Sequence, residues 1–100
     1  MTVGLKIVVG RNTVRVVATI TEFDGVTLID PDPDTMAVIF YDSANVNRGS
    51  ATNIIHISLG VWYCDYIIPP GPRAGDWHVD WYVEKGGEPA TGRGSFKMVP

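Results

Sequence analysis

Apolar and polar residues alternate with a period of two through most of the chain, and no stretch carries the 3.6-residue stripe of an amphipathic helix. In Thr13–Thr21, Val14, Val16, Ala18 and Ile20 share one side and Thr13, Arg15, Val17, Thr19 and Thr21 the other, which predicts a half-buried strand. Thr35–Tyr41 is apolar on both sides, as a central strand requires. Asn53–Leu59 sets Ile55, Ile57 and Leu59 against Ile54, His56 and Ser58. Val61–Ile68 sets Trp62, Cys64, Tyr66 and Ile68 against Val61, Tyr63, Asp65 and Ile67, until Pro69–Pro72 stops it. The clearest strand is Trp77–Glu84, where Trp77, Val79, Trp81 and Val83 alternate with His78, Asp80, Tyr82 and Glu84. Gly86-Gly87 then turns the chain into a last strand with Phe96 and Met98 inward, and Leu5–Val9 adds a short first strand. The stretch from Glu22 to Asp34, with Asp24-Gly25, Pro31 and Pro33, reads as a crossover rather than a tight hairpin. Six or seven strands separated by turns predict an all-β, antiparallel two-sheet sandwich occupying residues 1–100 as one domain.

Composition narrows this further. A chain of 100 residues has no room for a two-domain enzyme, and 7 Pro with 11 Gly argue against a helical bundle. A net charge of -3 with the lysines and arginines scattered along the chain has the wrong sign and pattern for a nucleic-acid surface. With Cys64 alone, neither an intrachain disulfide nor a cysteine-rich zinc site can form, so the fold must rest on its core. The opening residues show neither a signal segment nor a membrane span, which leads us to expect synthesis in the cytoplasm and no membrane partner.

The segments GVWYCDYIIP (Gly60–Pro69) and GDWHVDWYV (Gly75–Val83) resemble the paired aromatic strands of filamin-like and macroglobulin-like immunoglobulin-fold modules, and GRGSFKMV resembles their closing strand. The stretch VRVVATITEFDGVTLIDPD is similar to the opening of small stand-alone immunoglobulin-like proteins of tailed bacteriophages. The resemblance covers nearly the whole chain and implies an immunoglobulin-like sandwich. Its motifs belong to the fold and do not choose among spacer, adhesion and virion-decoration roles. Cys64 departs from the pattern, standing where such modules carry an aliphatic residue.

Chemistry-bearing residues are few. Asp30, Asp32 and Asp34 offer alternating carboxylates as weak calcium candidates, but three ligands fall short of the roughly six to eight that calcium takes, and the flanking prolines would splay them. His78 and Asp80 share a strand face, yet no nucleophile accompanies them: Cys64 is placed with Trp62 and Tyr66, where burial silences a thiol, and Ser58 and Ser95 lack a nucleophile elbow. No phosphate loop or cofactor fingerprint occurs, so no cofactor and no catalysis are expected. Tyr63, Tyr82, Ile67, Val61 and Ile39 form a second apolar set, opposite to the tryptophans, that a sandwich core does not need. Such a set marks a protein interface, a surface covered by the chain's own loops, or a sugar-stacking platform.

With the resemblance, that surplus leads us to expect a non-enzymatic virion protein of a tailed phage, a capsid decoration protein binding the major capsid protein or another virion protein and forming homo-oligomers on the particle. The competing expectation is an adhesion module for carbohydrate or host surface, using loop residues such as Asn45, Asn47, Asn53 and the Asp30 to Asp34 segment, or a neck or tail accessory protein.

Overall fold

The computed structural model describes residues 1–51 and 53–99. It is an antiparallel β-sandwich of strands β1 (Thr2–Val9), β2 (Thr13–Thr21), β3 (Ala37–Tyr41), β4 (Asn47–Ala51), β5 (Ile54–Ser58), β6 (Val61–Ile67), β7 (Gly75–Lys85) and β8 (Glu88–Met98). The first sheet has the order β1-β2-β6-β5 and the second β4-β3-β7-β8. This is the strand order of the A-B-E-D and C-F-G sheets of an immunoglobulin-like sandwich, with β4 as one extra edge strand beside β3.

Parity decides what is buried. The even-numbered residues Val14 to Ile20 of β2 are fully buried, as are Val38 and Phe40 of β3 and Val79, Trp81 and Val83 of β7. Trp62, Cys64 and Tyr66 of β6, Trp77 of β7 and Phe96 and Met98 of β8 complete the core. Each fully buried Val, Ile or Phe contributes about 1.5–3 kcal/mol relative to exposure. Phe40 and Tyr66 stack across the two sheets at 4.2 Å between ring centroids, an arrangement worth about 0.5–1.5 kcal/mol beyond burial.

Three expectations change. The first strand is longer than Leu5–Val9: it begins at Thr2 and runs in continuous register from Thr2↔Thr21 to Val9↔Val14, with Val3, Leu5 and Ile7 against the core. Asn47, expected in a loop, opens β4, an edge strand whose sequence NRGSA lacks apolar alternation and which is held to β3 by backbone pairing, with mostly exposed side chains. The third predicted strand starts at Ala37 instead of Thr35, since Pro33–Thr35 turn as a 3-10 helix. That turn is tied to β7: Asp32 N–H donates to the Glu84 carbonyl at 2.8 Å, and Thr35 Oγ1 accepts from Glu84 N–H at 3.0 Å while donating to the Asp32 carbonyl. The crossover does pass from the first sheet to the second. The β7–β8 hairpin closes with the two-residue loop Gly86-Gly87, both at positive φ (57° and 85°), the conformation a tight right-twisted hairpin needs.

Candidate functional surfaces

The second apolar set is divided between opposite sides of the sandwich. Val61, Tyr63 and Ile67 lie on the outer face of the first sheet, whereas Ile39 and Tyr82 lie on the outer face of the second. They therefore do not make one surface. Alternation along a strand tells which residues share its sides, but only the pairing of strands tells which sheet they belong to.

On the first sheet, Lys6, Val17, Tyr63 and Ile55 form a row across all four strands. Arg15 lies over the Tyr63 ring, 4.3 Å from its centroid, and is fixed there by a bidentate bond to Asp65 at 2.8 and 2.9 Å. Tyr63 is thus half-covered by its own chain. Other apolar positions of this sheet are bare: Ile55, paired with Tyr63, is 38% exposed, Ile57 and Leu59 at the β5–β6 turn are 56% exposed each, and Ile67 at the other end of β6 is 78% exposed. A register shift in the β5–β6 pairing between His56 and Ser58 leaves Ile57 exposed on an edge strand. The sequence shows Ile55, Ile57 and Leu59 to be a set without showing that they face out.

The second sheet's outer face is more polar. Tyr41 stacks on His78 at 4.7 Å, Ile39 pairs with Asp80, and Asp80 is bound bidentately by Arg93 at 2.7 and 2.9 Å. His78 and Asp80 share this face, as the alternation implies, but the His78 ring stacks on Tyr41 while Asp80 is bound by Arg93. His56 belongs to the other sheet and Cys64 is buried between the two, its thiol pushed up to about 12 by desolvation and by Asp65. The histidines and the thiol share no site.

The aspartates of the crossover are structural anchors. Asp30 Oδ1 accepts from Gly60 N–H at 2.7 Å and Trp62 Nε1–H at 3.2 Å and lies 3.1 Å from His56 Nε2, while the His56 ring stacks on Trp62 at 4.2 Å. Desolvation pushes the Asp30 carboxyl up, but these partners outweigh it and hold it below the usual range. Asp32 Oδ2 accepts from Gly86 N–H at 3.0 Å, so Asp30 and Asp32 serve different neighbours. Among the described residues, no group of three or more His, Cys, Asp or Glu is placed to hold a metal ion. No described helix is long and apolar enough to cross a membrane.

Asp42 is a buried acid that pattern reading missed, because a lone aspartate after a strand resembles any turn residue. Its Oδ1 accepts from Ala44 and Val46 N–H at 2.8 and 3.0 Å and its Oδ2 from Arg48 Nε at 2.7 Å, which fixes the β3–β4 connection. The Val46 N–H, with Arg48 and the Ala44 N–H, holds its carboxyl low against desolvation. Asp24 is held at about 2 by the Thr27 hydroxyl and the Thr27 and Val26 N–H groups. A carboxyl depressed by folding contributes stability that is complete above its unfolded value of 3.8 and is lost as pH falls through its folded value. The thermal midpoint should therefore drop between about pH 4 and pH 2, and Asp24→Asn should flatten part of that slope. Melts followed by circular dichroism check this, and a midpoint constant over the interval would contradict it.

At the end of the sandwich opposite the crossover, a cavity of about 460 Å³ opens between the β1–β2 turn and the loop Pro69–Pro72, lined by Val9, Ile68, Pro69, Pro70, Pro72 and Met98, with Arg11 and Asn12 also on its wall. No family model matches the chain, and no curated protein or solved structure does so either.

Proposed function

We propose that this protein is a non-enzymatic structural component of a tailed-phage virion, a decoration protein that lays the outer face of its first sheet on the major capsid protein. The observation that carries the binding role is the run of uncovered apolar side chains along this sheet: Ile55 paired with Tyr63, Ile57 beside it on the same edge strand, Leu59 in the turn that follows, and Ile67 at the far end of β6. The virion setting rests on the resemblance of Val14–Asp32 to the opening of small stand-alone immunoglobulin-like proteins of tailed bacteriophages.

Size decides what kind of contact this is. Four strands at about 4.8 Å spacing and seven residues at about 3.4 Å rise give a face of roughly 450 Å², well under the ~800 Å² per partner of a stable pairwise complex. One such contact is weak. Repeated on a shell, where a bound copy also meets its neighbours, weak contacts add through effective concentration. A decoration protein operates in that regime, whereas a soluble receptor would need a larger patch.

The test is co-sedimentation with capsids of the virus that encodes the protein, stripped of this component. The wild type should pellet with them. Ile57→Lys combined with Leu59→Lys, exposed on the edge strand and in the turn that follows it, should lower binding at least about tenfold while leaving the folding stability within about 1 kcal/mol of wild type. Tyr41→Ala, on the opposite face, should bind as wild type. Loss of binding in Tyr41→Ala alone, or retention of a glycan in an array through the Tyr41–His78 stack, would instead favour an adhesion module.

A further inference from the structure

The two ends of the sandwich are chemically opposite. The crossover end carries Glu22, Asp24, Asp30, Asp32 and Asp34, with Glu84 and Glu88 of the adjoining β7–β8 hairpin, against Lys85. The other end carries Arg11, Arg48, Arg73 and Lys97 against Asp42 and Asp76. The nine residues of β2 separate them by roughly 30 Å, most of the molecule's 39 Å length.

Each end also has a shape. At the acidic end, Phe23 is 81% exposed and Val26 80%, on a turn that cannot fold them away. Glu22 N–H donates to the Thr27 carbonyl at 2.9 Å, Gly25 N–H to the Glu22 carbonyl at 3.0 Å, and Val26 and Thr27 N–H both to Asp24 Oδ1 at 2.9 Å. The turn is therefore held in place with the Phe23 side chain exposed on it, flanked in sequence by the acids Glu22 and Asp24. At the basic end lies the cavity of about 460 Å³, walled by proline rings and aliphatic side chains with Arg11 on its wall. Cavities of about 300–1,000 Å³ hold ligands of drug size, so this one admits the Phe23 ring with Val26 beside it.

We propose that the protein associates with itself end to end, the Phe23 knob of one copy entering the proline-walled cavity of the next, with Glu22 and Asp24 facing Arg11 and Arg73. Proline rings and an aromatic ring pack well face to face, and the carboxylate–guanidinium contacts set the orientation. Because knob and cavity are different patches, the contact is heterologous: it does not close as a two-fold pair and propagates into a row or a ring. The outer face of the first sheet stays free in such a row, so this inference stands apart from the capsid-binding reading.

Sedimentation velocity of the full chain, over a concentration range reaching the millimolar, reads the result. The wild type should grow in mass with concentration, less so in high salt, which screens the ends from each other. Phe23→Ser alters a side chain that lies almost wholly in solvent and should weaken association about 30-fold. Arg11→Glu and Val9→Glu, at exposed positions on the cavity side, should do the same. Mixing Phe23→Ser, which keeps its cavity, with Arg11→Glu, which keeps its knob, should give a one-to-one pair and nothing larger. A wild type that stays monomeric at millimolar concentration overturns the proposal. So does association that survives Phe23→Ser, or that is abolished only by the Ile57→Lys, Leu59→Lys pair, which would place self-contact on the sheet face.

Discussion

Replacing Trp81 by alanine should cost about 3–5 kcal/mol of folding stability, which for a chain of this length lowers the thermal midpoint by roughly 15–30 °C. Trp81 has no solvent exposure and stands between Val38 of β3 and Gly92 of β8, in the middle of the second sheet. Alanine there leaves an indole-sized void in an interior that can collapse little, because β3 and β7 are both held by partners on either side. The phenylalanine variants separate packing from hydrogen bonding. Among the described residues, Trp81 Nε1 is a buried donor with no hydrogen-bond partner, whereas Trp77 Nε1–H donates to the Arg73 carbonyl at 2.7 Å. Trp81→Phe removes volume together with an unsatisfied donor, a group whose burial costs about 1–3 kcal/mol. Trp77→Phe removes similar volume together with a donor that is satisfied, and so loses the bond to the Arg73 carbonyl as well. Urea unfolding should therefore rank Trp81→Phe as milder than Trp77→Phe, and the reverse order would show that the Trp81 indole has a partner after all.

The core was legible because a sandwich reads its sequence with a period of two. Every buried apolar position of β2, β6 and β7 can be picked out by alternation alone, and the turn at Gly86-Gly87 by its composition, while Thr21, buried next to Ile20 at the end of β2, breaks the pattern. Edges were less legible for a physical reason: β4 contributes backbone hydrogen bonds and almost no apolar burial, so NRGSA carries no hydrophobic signal. β1 is the opposite case, an apolar strand whose first half is diluted by Thr2 and Gly4. The surface was least legible of all. Tyr63 and Tyr82 look alike in sequence and lie on opposite faces, and Tyr63 is shielded by Arg15, a residue 48 positions away that only the β2–β6 pairing brings near. The bare positions Ile57 and Leu59 stand next to a register shift that no local pattern marks. The sequence marks Asp30 by its charge alone, whereas the fold uses its acceptor oxygen, which satisfies the Trp62 indole and the Gly60 amide at the sandwich end.

The second large effect falls on β1, where two glycines of β8 that look equivalent should behave differently. Both face the inner side of β1, and neither has a positive φ, so space alone decides what a side chain does there. A Cβ at Gly92 would meet the Val3 carbonyl oxygen and would come within 2.8 and 2.9 Å of Val3 Cγ1 and Cβ, which is backbone and its rigid root. A Cβ at Gly94 would meet Ile7 Cδ1 at 2.6 Å, the far end of a flexible side chain that can rotate away. Gly92→Ala should therefore cost about 3 kcal/mol, the upper range for forced overpacking. Gly94→Ala should stay within about 1 kcal/mol of wild type, since the entropy the unfolded chain loses with glycine offsets a small rearrangement. The damage in Gly92→Ala should also be local. β1 is an edge strand paired only with β2, so the least costly relief is for its first half to lift from β8 while the core of β2, β6 and β7 stays folded. Amide exchange should show protection lost at the β1 amides near Val3 ahead of those of β7, and a lifted β1 bares the edge of β2, a template for pairing with other chains. Uniform loss of protection, or equal costs for the two alanines, would mean that β1 is held by something other than its fit over Gly92.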